Sequence, residues 1–143
     1  MPELTALHPV LGVTIAYVLL YYAFQIYGLR VKTRLIQEYQ SRGEKFDRYF
    51  GQDRQMLAAD RVQLNMLEHM PPFLVLLWLE AIFVSPSTAA VAGGIYVIAR
   101  AAYPFLMGGR LGRGIRASII LSTGTGYAVL TYFLVDLIAV AAG

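Results

Sequence analysis

Residues 9–34, PVLGVTIAYVLLYYAFQIYGLRVKTR, decide what kind of protein this is. From Pro9 to Leu29 the run carries no charge, over about the length a helix needs to cross the hydrocarbon core of a bilayer. It then ends on Arg30, Lys32 and Arg34. A cleaved signal peptide would open on Lys or Arg and close on a small-residue cleavage site. This stretch does neither, so it reads as a retained helix. Three further apolar stretches follow, Val62 to Val84, Thr88 to Met107 and Ala117 to Val140. With their flanks they predict helices over about 9–34, 55–84, 88–108 and 112–140. The expected fold is an all-α, integral-membrane four-helix bundle forming one domain over 1–143.

Composition points the same way. The chain has 143 residues, 57% of them hydrophobic and 15% charged, where a soluble domain carries roughly 25% charged residues. It has no cysteine, which excludes disulfides, thiolate metal sites and a cysteine nucleophile. Its two histidines, His8 and His69, stand too far apart to suggest a metal site, so none is expected.

The placement of the 12 Lys and Arg residues is the most informative pattern. Arg30, Lys32, Arg34, Arg42, Lys45, Arg48, Arg54 and Arg61 lie between the first and second apolar stretches. Arg100, Arg110, Arg113 and Arg116 lie around the junction of the third and fourth. The N-terminal segment, the Ser85-Pro86-Ser87 turn and the C-terminal tail have none. Four spans put the two basic connections on one side, and the positive-inside rule makes that side cytoplasmic, with both termini outside. The net charge of +3 does not imply nucleic acid, because Glu38, Glu44, Asp47, Asp53 and Asp60 dilute the basic loop. The segment from Gln40 to Arg54, broken by Gly43 and Gly51, reads as a loop with little structure of its own. Pro71-Pro72 is expected to interrupt and kink the second helix. Ser118, Ser122 and Gly126, four apart, form a small-residue stripe suited to close helix packing.

Polar residues within the spans carry the functional reading. Arg61, Asn65 and Glu68 fall at i, i+4 and i+7 and share a helical face. Ionisable groups at such depth face the bundle interior or a wet cavity. Two readings stand side by side. Either Arg61 pairs with Glu68 or Arg100 as structural glue, or the set holds a polar ligand. In the second, Glu68 accepts from an ammonium or amide and Asn65 offers both donor and acceptor. Tyr96, Arg100 and Tyr103 repeat the spacing on the third helix. Tyr96 reads as an interfacial anchor, and Tyr103 as an anchor or a donor to a ligand. Arg116 is either an interfacial cation or, at the start of the fourth helix, a group that favours a bound thiolate. His69 reads as a packing residue. Glu80 and Asp136 read as near-interface or interhelical groups towards the other surface.

The run Arg61-Val62-Gln63-Leu64-Asn65-Met66-Leu67-Glu68-His69-Met70-Pro71 resembles the second-helix signature of the MAPEG family, the membrane-associated proteins of eicosanoid and glutathione metabolism. Ala99-Arg100, then Tyr103, then Arg116 are similar to its third- and fourth-helix pattern. The resemblance implies a homotrimer with glutathione, as cosubstrate, bound at each protomer interface. By position its contacts would be Arg61, Gln63, Asn65, Glu68, Tyr103 and Arg116, with Arg30 (or Arg34) from the first helix. Arg116 would be catalytic, activating the thiolate, with Arg113 as the fallback. Conjugating members often carry a second Tyr one turn after the first; here Met107 takes that place.

The expected protein is therefore a microsomal-type glutathione transferase or peroxidase of a bacterial inner membrane, acting on lipophilic small molecules that arrive from the lipid. The rival within the family is a non-catalytic lipid-binding or accessory subunit. A small multidrug exporter would need a carboxylate in the first helix, and none stands between Pro9 and Arg30.

Overall fold

A computed structural model describes residues 3–112 and 117–143. After a short 3-10 turn, Leu4–Leu7, the chain forms four helices: α1 His8–Ser41, α2 Arg54–Phe83, α3 Pro86–Met107 and α4 Ala117–Ala142. All four are long and apolar enough to cross a membrane.

Local chemistry starts and stops them. The Asp53 carboxylate caps α2, accepting from the backbone N–H groups of Gln55 and Met56. Ser85 does the same for α3 through the N–H of Thr88, and Pro86 sits at the first helical position, where its missing N–H costs nothing. Gly108, at φ 81°, ends α3 in a conformation that other residues adopt only with strain. Pro71 and Pro72 do not end α2, which continues to Phe83. Both prolines lie on its exposed face.

Helices α2 and α3 each pack against all three other helices, while α1 and α4 occupy opposite corners. The centre is aromatic: Phe73 stacks on Tyr96 at 4.0 Å, and Tyr17 leans on Phe73 at 4.8 Å. The Tyr17 hydroxyl donates to the Met66 carbonyl (3.0 Å), tying α1 to α2. The small-residue stripe of α4 faces α3 along its length. Ser118 and Ser122 donate to the carbonyls of Leu106 and Ala99, and Gly126 lies against the Arg100 guanidinium. Large apolar side chains such as Leu19, Ile26, Ile98 and Leu121 point outward, as helices in lipid allow.

Two expectations change. Helix α1 runs seven residues past 34, to Ser41, because Val31 and Leu35 are buried with Met56 and Ala59 of α2, beneath Tyr39 and Phe46. The connection after it is also better anchored than its polar, glycine-broken sequence suggests. Arg48 donates twice to Asp60 (2.8 and 2.9 Å) and Tyr39 donates to Asp53. Of the two places expected for Glu80, near the interface or between helices, burial fits the second: it is fully buried, and among the described residues neither carboxyl oxygen has a hydrogen-bond partner.

Candidate functional site

One cavity of about 680 Å³ opens at the basic end of the bundle, between α2, the last turns of α3 and the first half of α4. Arg61, Asn65, Glu68 and His69 of α2 supply its polar wall, and Tyr103 and Met107 of α3 its back. Ile119, Ile120, Thr123 and Tyr127 of α4 make a largely apolar side, with Leu111 and Gly112 at the rim. The volume falls within the roughly 300–1,000 Å³ of small-molecule sites.

Helical periodicity explains the gathering. At about 100° per residue, Arg61 and Glu68 lie about 40° and 60° to one side of Asn65. Arg61 and Glu68 are exposed and form no ion pair with each other. The pairing of Arg61 with Glu68 or Arg100 weighed above is therefore absent, and among the described residues neither charge at the mouth has an ion-pair partner. Asn65 is buried deeper, at 7% exposure, and Tyr103 at 5%.

Behind Asn65 stands Arg100, 1% exposed. Its Nη1 donates to Asn65 Oδ1 at 2.6 Å, and its guanidinium lies 5.0 Å from the Tyr96 ring centre. Arginine has donors only, so the bond holds the Asn65 amide with oxygen inward. The expectation that Asn65 offers both donor and acceptor is thereby narrowed: its oxygen is taken by Arg100, which leaves the N–H groups as what it can offer the cavity that it lines. Nε and Nη2 of Arg100 and the Tyr96 hydroxyl have no partner among the described residues. A Cβ at Gly126 would collide with Nη2, so glycine there makes room for the cation.

Two further residues belong to the cavity: His69, which the sequence reads as a packing residue, and Tyr127, which it does not single out. His69 lines the cavity and meets the Tyr127 ring edge-on at 5.0 Å. The signal for His69 was its place four residues after Asn65, about 40° away; for Tyr127 nothing local marked the inner face. Other expected residues do not converge here. Gln63 sits about 160° around α2 from Asn65, with its Oε1 directed at Gly28 of α1. Arg30 is exposed on α1 and does not line the cavity. Arg113 and Arg116 lie outside the described residues. Among the described residues no three His, Asp or Glu side chains gather closely enough to hold a metal ion.

A family model described as the MAPEG family matches residues 9–139. No curated protein matches the chain. With nearly the whole length covered, and with four helices long and apolar enough to cross a membrane, the chain is a multi-pass membrane protein that belongs to the MAPEG family.

Proposed function

We propose that the cavity binds glutathione and that the protein is a microsomal-type transferase or peroxidase presenting the glutathione thiol to lipophilic electrophiles. The observation that carries this is the convergence of Arg61, Asn65, Glu68 and Tyr103 on one cavity whose opposite wall is apolar. The donor set fits the ligand's chemistry. Arg61 can receive a carboxylate, Glu68 the ammonium, the Asn65 N–H groups a carbonyl or second carboxylate, and the Tyr103 hydroxyl an amide or sulfur. Glutathione supplies the nucleophilic thiol, so no protein nucleophile is required. The chain's part is to orient it, to keep the pocket partly dry and to stabilise negative charge at sulfur. We assign that last role to Arg116, or to Arg113, on the family pattern. Ile119 and Ile120 line the side from which a lipid-soluble acceptor would enter.

We further propose that the protein works as a homotrimer in a bacterial inner membrane, its single four-helix domain placing the basic end in the cytoplasm and both termini outside. Gln63 and Arg30 face away from their own protomer's cavity. In a trimer they are available only to a neighbour's.

Met107 favours a second reading. It is 3% exposed and lines the cavity one turn after Tyr103, offering no hydroxyl there. A non-catalytic member that binds without turnover would carry such a residue. Calorimetric titration with glutathione, combined with the ultraviolet absorbance of the thiolate, the reactive form of the thiol, separates the cases. Binding with a thiolate signal lost in Arg116→Ala supports the enzyme. Binding without thiolate or turnover on a panel of electrophiles supports the accessory reading. No binding at all removes both.

A further inference from the structure

On the other side of the bundle, away from α4, two clefts meet. One, of about 520 Å³, runs between α1 and α3 and is lined by Ala23, Phe24, Tyr27, Pro104 and Phe105. The other, of about 500 Å³, opens at the basic end between Arg34, Gln55 and Arg110. They share Tyr27, Gly108 and Gly109, so a single molecule can occupy both. The junction is open at Gly109, where a Cβ would meet nothing within 4 Å. The first cleft is apolar and sunk in the spanning part, whereas the second is polar and cationic.

We infer that this double cleft is a binding site for an anionic phospholipid, with an acyl chain between α1 and α3 and its phosphate between Arg34 and Arg110. The inference does not depend on the glutathione reading, since no residue is shared with that cavity.

The charges survive a count of their neighbours. Arg34 donates through Nη2 to Gln55 Oε1 (2.5 Å), which fixes the guanidinium over the cleft without neutralising it. Its one carboxylate contact, Glu38 at 3.5 Å, is between side chains about half exposed, an arrangement that contributes little. Arg110 has Asp53 as its acidic neighbour. Asp53 keeps its charge while accepting from the N–H groups of Gln55 and Met56 and from the Tyr39 hydroxyl, but among the described residues it forms no ion pair with Arg110. The rim itself is held: Arg54 Nε donates to the Leu111 carbonyl at 2.6 Å, and the Leu111 N–H donates to the Arg54 carbonyl. Basic pockets between helices at such an interface hold anionic headgroups. A soluble anion would have no use for the apolar cleft, and an uncharged lipid none for the two arginines.

The test uses the full chain in a neutral detergent, incubated with equal amounts of dioleoylphosphatidylglycerol and dioleoylphosphatidylcholine, and native mass spectrometry of the retained lipid. The expected result is about a tenfold preference for phosphatidylglycerol that falls as salt rises. It should disappear in the double variant R34Q/R110Q, and Ala23→Trp should reduce retention of both lipids. Salt dependence of the unsubstituted protein keeps the test independent of whether either variant folds. Equal retention of the two lipids overturns the inference. So does full competition by glycerol 3-phosphate, which would make this a soluble-anion site.

Discussion

Arg100 is a buried cation with a neutral partner. A fully buried guanidinium is tolerated in a low-dielectric interior when hydrogen bonds and aromatic faces surround it, and here Asn65 and Tyr96 supply both. Replacing Asn65 by Asp would set a carboxylate against Arg100 and remove the N–H donors facing the cavity. We expect N65D to unfold at a higher temperature in detergent while binding glutathione at least about tenfold more weakly, the scale of a lost hydrogen bond to a charged group. Parallel thermal-denaturation and calorimetric measurements would show the two changes moving in opposite directions. If N65D keeps full affinity, Asn65 does not contact the ligand. Glu80 offers a second test at this scale. An unpartnered buried carboxyl costs about 1–3 kcal/mol, so Glu80→Leu should be stabilising by a comparable amount. A lower melting temperature in E80L would mean that the carboxyl has a partner in the assembled protein.

At the level of the element, the entry to α2 matters most, because that helix carries the polar wall. Burial pushes the Asp53 carboxyl up, but the N–H groups of Met56 and Gln55 and the Tyr39 hydroxyl outweigh it and hold the group below the ordinary aspartate range. Its folded pKa therefore lies under the unfolded value of about 3.9, so its stabilisation is complete well above that pH and is lost as pH falls through the folded value. Asp53→Ala should cost about 1 kcal/mol at neutral pH. The difference between D53A and the unsubstituted protein should shrink towards zero in the acid limb below about pH 4. Thermal denaturation across that range would check it; a difference unchanged down to pH 2 would rule out the carboxylate as the cap. The proline pair illustrates the same scale from the other side. Because Pro71 and Pro72 sit on the exposed face of α2, the carbonyls they leave without donors lie away from the core packing, and the helix continues.

For the whole molecule, the asymmetry of charge sets the expected orientation. A chain without cysteine makes this simple to measure. Lys45→Cys should react with a membrane-impermeant maleimide only after the cells are permeabilised, and Ser87→Cys should react without permeabilisation. The reverse pattern would invert the proposed topology. The proposed trimer belongs to this scale too, since Gln63 and Arg30 do not line the cavity of their own protomer.

The number of spans, the basic end and the shared face of Arg61, Asn65 and Glu68 were all legible in the sequence. Each depends only on local quantities: apolar length, the positions of Lys and Arg, and the 3.6-residue period. What no local quantity specified is how each helix is rotated against its neighbours. A soluble helix marks its inner face by hydrophobicity, but in lipid the outer face is apolar as well, and that mark disappears. Only the packed bundle could therefore place Arg100 behind Asn65, bring His69 and Tyr127 to the cavity, turn Gln63 towards Gly28 and bury Glu80.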